Sequence, residues 1–427
     1  MGIILIFVLF LGMIVLTLPI AFSMEPSTVL TMIFNGQGNA LITILTKLFS
    51  GTNSTSFLAI PFFILAGALM EQGGISDKIL EFANGLVGHL RGGLAMVTVL
   101  YATLFSAVTG SAVAATTAVG ATMMPAMNKK GYDKGFTAAL QASAGTLGPI
   151  IPPSVSMIMI SAMTGESVAN LFLAGFLPGF MIAAFLMLVG YLYARKHDIP
   201  KEPKQSGKET WKAFTGAVWA LLSPVIIIGG ILSGMFTATE AGMISCVYSI
   251  IVGMFVYKGL TLKKLVEVFK KSVIGSAQIM FLVAMANVFA WILTRNSFGT
   301  LCANLLGDIA SNRVAFMLIM VLFFLILGCF LEGAAMCTIF VPIFYPIAQN
   351  YGVGFPLMIV MLMCVALGQI TPPVGVLLSV TSEMQEIKLT QTFKYLPSVL
   401  GALLLATVMC AVFPQIITIL PHLFGTL

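Results

Sequence analysis

Charged side chains are what this sequence has least of: Asp, Glu, Lys and Arg make up 8% of its 427 residues, while 59% are hydrophobic. A soluble domain carries roughly 25% charged residues, so a water-facing globule is excluded and a polytopic membrane protein is expected. Histidine is scarcer still. Only His89, His197 and His422 occur, none in a predicted core, and no His-Glu-x-x-His pair exists, which argues against a metal-dependent intramembrane protease. No Gly-x-x-x-x-Gly-Lys-Ser/Thr loop is present, so ATP hydrolysis by that route is excluded, and nothing points to an enzyme. The six cysteines (Cys246, Cys302, Cys329, Cys337, Cys364 and Cys410) lack Cys-x-x-Cys spacing and imply neither a disulfide frame nor a zinc site. The first 22 residues lack a basic start and a small-residue cleavage site, so a first membrane helix is expected there and not a cleaved signal peptide.

What is present is a series of apolar runs, near residues 3–22, 27–50, 57–72, 133–165, 169–194, 214–235, 239–257, 273–294, 356–385 and 396–418. Each approaches the ~20 residues that a crossing helix needs, or exceeds it and is broken. Two further runs, 93–128 and 313–349, read as helix, small polar tip, helix, turning at Thr109-Gly110-Ser111 and at Leu331-Glu332-Gly333. Short arms and glycine-rich tips predict re-entrant hairpins, with full spanning pairs as the alternative. Loop charge supports that count. With the N-terminus outside, the segments 73–92, 129–134, 195–212, 258–271 and 386–394 all face the cytoplasm, and they hold 18 of the 21 Lys and Arg residues. The net charge of +6 thus reflects membrane orientation, and the C-terminus is also expected outside. The stretch 262–271, with Leu262, Leu265, Val266 and Phe269 on one face and lysines on the other, predicts an interfacial arm that Thr261 caps. Residues 76–81 and 301–309 read as shorter relatives of it, and Trp211 as an interfacial anchor.

Two runs are interrupted by the same kind of break, Gly148-Pro149-Ile150-Ile151-Pro152-Pro153-Ser154 and Gly368-Gln369-Ile370-Thr371-Pro372-Pro373-Val374-Gly375. Consecutive prolines free carbonyls that hydrocarbon cannot satisfy, so each break must be buried in protein or line a cavity. The halves align. With a shift of 221, Thr117 falls on Thr338, Pro125 on Pro346 and Gly131 on Gly352; after a one-residue gap, Gly148, Pro152 and Pro153 fall on Gly368, Pro372 and Pro373. The expected fold is therefore all-α, with two inverted-topology repeats of five spans and one hairpin each. The first covers 1–194 (hairpin 93–128, broken helix 133–165), a cytoplasmic linker covers 195–213, and the second covers 214–427 (hairpin 313–349, broken helix 356–385).

Tips and breaks are where chemistry concentrates, because hydroxyls and free carbonyls without a fixed charge suit an alkali cation. The first candidate cation site comprises Ser106, Thr109, Gly110, Ser111, Gly148, Ile151 and Pro152, and the second Glu332, Gly333, Gly368, Thr371 and Pro372. No buried arginine awaits an anionic substrate, so its carboxylate would rely on helix N-termini, bound Na⁺ and the hydroxyls of Ser111, Ser154 and Thr371, with Val374 beside them. Close helix packing alone would also favour the glycines, but it does not require a Pro-Pro break. Glu332 is read first as a helix cap that locks the second hairpin and second as a cation ligand. Glu25 and Glu240 are read as first-turn helix acids at turns.

These residues resemble a known family. Pro61-Phe62-Phe63-Ile64-Leu65-Ala66-Gly67, Gly110-Ser111 followed by Ala114 and Gly120, Pro125-Ala126-Met127 with Gly131-Tyr132, Leu147-Gly148 with Ile151-Pro152-Pro153-Ser154, Thr239-Glu240-Ala241 and Pro372-Pro373-Val374-Gly375 are similar to the large membrane subunit of tripartite ATP-independent periplasmic (TRAP) transporters, the DctM family. The resemblance covers essentially the whole chain. It implies an elevator-type secondary transporter in a bacterial inner membrane, coupled to Na⁺, with a small DctQ-type membrane subunit as a separate polypeptide. A DctP-type periplasmic binding protein would deliver an organic acid such as sialic acid or a C4-dicarboxylate. Ser111-Ala112 departs from the Gly-Ser-Ser expected of many relatives, and the run Thr109 to Thr117 looks most like sialic-acid-type members. Two other readings stand beside it: a stand-alone Na⁺- or H⁺-coupled dicarboxylate or anion carrier, and a channel or membrane scaffold.

Overall fold

Apolar chain in hydrocarbon must satisfy its backbone polar groups within each segment, which helices do. The computed structural model describes residues 2–425 apart from 17, 202, 332 and 373, and the described residues form helices and turns with no strand. In order these are α1 (Gly2–Val15), α2 (Ile20–Phe34), α3 (Ile42–Thr52), α4 (Ala59–Gln72), α5 (Ile75–Val87), α6 (Gly93–Thr109), α7 (Ala112–Lys129), α8 (Lys134–Gly145), α9 (Val155–Thr164) and α10 (Val168–Lys196). The second half holds α11 (Gly207–Leu232), α12 (Ala238–Ile251), α13 (Leu262–Arg295), α14 (Phe298–Ile309), α15 (Arg313–Gly328), α16 (Gly333–Asn350), α17 (Gly354–Gly368), α18 (Val376–Met384), α19 (Leu396–Val412) and α20 (Gln415–Leu423). Helices α10, α11 and α13, and α12 with the π turn that prolongs it to Val256, are long and apolar enough to cross a membrane. The chain is a multi-pass membrane protein.

Several expected runs are divided differently. The run 3–22 ends early, in α1, because Pro19 cannot continue a helix and instead precedes α2 with φ −58° and ψ 144°. The run 27–50 breaks fully between α2 and α3 at Asn35-Gly36-Gln37-Gly38, where the sequence shows a weak interruption. Because α2 starts at Ile20, Glu25 lies inside it, beside Pro26, and not at a turn. Helix α4 continues into α5 after a 73° bend, at which Gly74 takes a left-handed φ of +89°. The run 396–418 is likewise bent, by 67°, between α19 and α20.

The arm at 262–271 is not a separate element. It is the first part of α13, a single helix of 34 residues, about 51 Å long at ~1.5 Å per residue. No proline interrupts it, so nothing in the sequence stops helix propagation from the arm into the span. Thr261 does cap it, accepting from the Lys264 amide at 3.3 Å. Within 195–213, α10 runs to Lys196 and α11 starts at Gly207, where Ser206 and Glu209 form a capping box. Thr237 and Glu240 form a second capping box at the start of α12.

The core sits at α8 and α17. Every residue of α17 is buried by protein, and it packs against both α15 and α16, as α8 packs against both α6 and α7. Because lipid tails are as apolar as leucine, burial here gains packing and excludes lipid more than it gains hydrophobic transfer energy. Asp133 starts α8 by accepting from the Gly135 and Phe136 amides at 2.8 and 3.3 Å, and Asn312 starts α15 by accepting from Val314 and Ala315, both at 3.0 Å.

Candidate functional site

The first tip is built by a helix end and a helix start in immediate succession. Gly110 closes α6 at φ +62°, its amide donating to the Ser106 carbonyl at 2.8 Å, and Ser111 opens α7 by accepting from Ala114 at 3.3 Å. The first break runs from Thr146 to Ser154, between α8 and α9. Its turn is tied by the Ile150 and Ile151 amides, which both donate to the Leu147 carbonyl, and the Pro152-Pro153 peptide is cis. Among the described residues the carbonyls of Gly148, Ile151 and Pro152 receive no hydrogen bond.

Tip and break touch. A side chain on Gly110 would come within 2.5 Å of the Pro153 carbonyl, and one on Gly148 would collide with the Ser111 backbone. Gly110 and Ser111 of the tip and Gly148 of the break therefore meet at one junction, with Ser106 and Thr109 in the last turn of α6 and Ile151 and Pro152 further along the break. Its hydroxyls are suited to a cation: Thr109 Oγ1 donates its proton to the Phe105 carbonyl at 3.2 Å, leaving its lone pairs free, and Ser106 Oγ is buried with no partner at all.

The second junction is similar in kind. Gly368, at the end of α17, packs on the Gly328 backbone with no room for a Cβ, and a Cβ on Gly328 would come within 3.0 Å of the Cys364 carbonyl. Beyond it the Thr371 amide donates to the Gly368 carbonyl at 3.0 Å, and Thr371 Oγ1 donates to the Leu367 carbonyl at 2.7 Å. Gly333 begins α16, and Pro372 lies in the break. Glu332 and Pro373 lie outside the described residues. Gln369, quoted in the motif but not singled out, has a buried Oε1 without a partner.

Both junctions open on one cavity of about 430 Å³. Residues 109–114 of the first tip line it together with Pro149, Val155, Ser156, Gly333, Ala334 and Gln369, so the first turns of α7, α9 and α16 converge there. Each helix start carries unpaired amides and roughly half a positive charge. The remaining wall is α4 and α13, with Gly67, Glu71, Gly275 and Gln278, and α17, with Leu362 and Val365. Of the four expected substrate residues the cavity gathers only Ser111. Ser154 is buried and donates to the Pro149 carbonyl at 2.7 Å, Thr371 turns to its own helix end, and Val374 lines a separate hollow of about 350 Å³ with Gly328 and Gly375. Sequence patterns alone do not single out the α4 and α13 residues. The signal was there, since Glu71 and Gln278 are polar positions within apolar runs.

The comparisons agree with this architecture. Residues 7–416 match the family model described as "Tripartite ATP-independent periplasmic transporter, DctM component". The "C4-dicarboxylate TRAP transporter large permease protein DctM" of Pseudomonas aeruginosa is 39% identical over 380 residues, 89% of each chain. The "Sialic acid TRAP transporter large permease protein SiaM" of Vibrio cholerae is 35% identical over 381 residues, 88% of this chain and 89% of that one. Among solved structures, the Alcanivorax borkumensis YdaH transporter superposes with a TM-score of 0.59 at 16% identity, covering 88% of this chain and 89% of that one. At that identity the likeness speaks to the fold alone.

Proposed function

The chain belongs to the DctM-component family of tripartite ATP-independent periplasmic transporters, and from that premise we propose that it is the Na⁺-coupled permease subunit that imports an organic acid across a bacterial inner membrane. A periplasmic binding protein delivers the acid, a small membrane subunit accompanies this chain, and both termini face the periplasm. The convergence of three helix starts on a cavity without a cationic side chain among its described residues carries the reading. Such a site attracts a carboxylate through backbone amides and helix dipoles.

The residues of the two junctions fit Na⁺. An unpartnered Ser106 hydroxyl and free carbonyls at Gly148, Ile151 and Pro152 form an uncharged, hard oxygen set at the first. Gly333, Gly368, Thr371 and Pro372 would serve the second, for which the sequence also offers Glu332. Two inverted repeats of the kind read from the sequence would let tips and breaks move together past α4, α11, α12 and α13, as an elevator. If two Na⁺ accompany one monocarboxylate, one net charge crosses per cycle, and the potential contributes ~2.3 kcal/mol per 100 mV. The relatives' substrates, a C4-dicarboxylate and sialic acid, share the carboxylate that the helix starts would hold.

Uptake of labelled acid into proteoliposomes tests this. With the small subunit present, uptake is expected to require both the binding protein and an inward Na⁺ gradient. Full uptake without the binding protein would favour a stand-alone carrier, and uptake indifferent to Na⁺ would overturn the coupling.

A further inference from the structure

Glu71 is the single charged side chain among the described residues that line the 430 Å³ cavity. It stands on α4 beside Gly67 and Ala68, and Gly275 and Gln278 of α13 adjoin it, whereas the helix starts belong to the tips and breaks. No described group donates a hydrogen bond to its carboxylate or lies within ion-pair distance of it. Lys271 of α13 acts on it electrostatically, but that ammonium is exposed and therefore screened. The cavity is polarised. One part of its wall offers amides and positive helix ends, another an unpaired carboxylate.

Resting on the organic-acid reading, we infer that Glu71 determines specificity, so that the cavity selects monocarboxylates carrying hydroxyl or N–H groups away from the acid and rejects dicarboxylates. With its carboxylate at the helix starts, such a molecule presents its far end to α4. A hydroxyl or N–H there donates to Glu71. A second carboxylate in the same position meets a like charge beside the half-buried Glu71, where repulsion exceeds that in bulk water, and leaves Glu71 without a donor. Rejection through an unpaired or repelled polar group discriminates far more sharply than a difference in apolar size.

Calorimetric titration of the purified membrane complex, this chain with its small subunit in nanodiscs with Na⁺, tests the inference without the binding protein's own selectivity. Sialic acid and gluconate serve as hydroxylated monocarboxylates and succinate as the diacid. The wild type is expected to bind at least one monocarboxylate about tenfold or more tightly than succinate. Glu71→Gln, nearly the same shape without the charge, should gain succinate affinity about tenfold relative to the monocarboxylates. Glu71→Asp, which keeps the charge, should retain the wild-type order, and a wild-type melting temperature in each variant certifies folding. Succinate binding to the wild type as tightly as the better-bound monocarboxylate, or an unchanged order in Glu71→Gln, overturns the inference while leaving the transporter reading intact. If none of the three acids binds the wild-type complex in Na⁺, this inference falls, and the uptake measurement with the binding protein decides the organic-acid reading separately.

Discussion

Ser106 separates a ligand from a packing residue. Its hydroxyl is buried and unpartnered, and a buried polar group left unsatisfied costs ~1 to 3 kcal/mol. Ser106→Ala should therefore leave the protein as stable as the wild type, or slightly more so, in Na⁺-free buffer, while removing most of the stabilisation that added Na⁺ provides. Melting curves with and without Na⁺ check both signs; an equal Na⁺ shift in the variant would dismiss Ser106 as a ligand. Gly110 makes the opposite case. It occupies a left-handed conformation and sits against the Pro153 carbonyl, so Gly110→Ala adds ~1 to 2 kcal/mol of backbone strain and pushes the tip off the break. Na⁺-driven uptake should fall by about tenfold or more, measurable as initial rates at matched protein levels. Gln369 teaches a further point at this scale. A glutamine next to a broken helix looks unremarkable in the chain, and only its surroundings reveal an oxygen with nothing to bond.

At the scale of elements, the two junctions depend on helices that start in the right place. Asp133 caps α8, whose far end is the first break. Asp133→Ala should cost ~0.5 to 2 kcal/mol and Asp133→Asn much less, to be read as shifts of the melting temperature. Helix α13 joins the basic arm to the span that carries Gln278 into the cavity wall. A proline inside it, at Val273, should break that continuity at a cost of ~3 kcal/mol, whereas the same change would be harmless if arm and span were independent. Hydrophobic periodicity predicted the arm's helix and its cap correctly but set its end too early. Amphipathic and uniformly apolar stretches look like different elements in sequence, yet the backbone recognises only breakers, and no proline stands between Leu262 and Arg295.

For the whole molecule, loop charge sets an orientation that can be measured. The segments holding 18 of the 21 Lys and Arg residues should be reached by reagents only from the cytoplasmic side, and tags on both termini only from the periplasm. Single cysteines placed in the linker near Gln205 and beyond Leu423, probed with an impermeant maleimide on intact cells, give the answer; labelling of the linker from outside would reverse the topology.

Membrane class and the helix–tip–helix and broken-helix patterns followed from the sequence, because hydrocarbon forbids unsatisfied backbone and prolines and glycines record where helices must stop. So did membership of a transporter family, because motifs such as the two Pro-Pro breaks keep their order along the chain. Three things belonged to the tertiary structure: the meeting of residues far apart in the chain at one cavity, the exclusion of Ser154, Thr371 and Val374 from it, and the inclusion of Glu71 and Gln278. Which face of an apolar helix looks inward is decided by neighbours hundreds of residues away. In a lipid-embedded chain both faces are apolar, so periodicity does not record that choice.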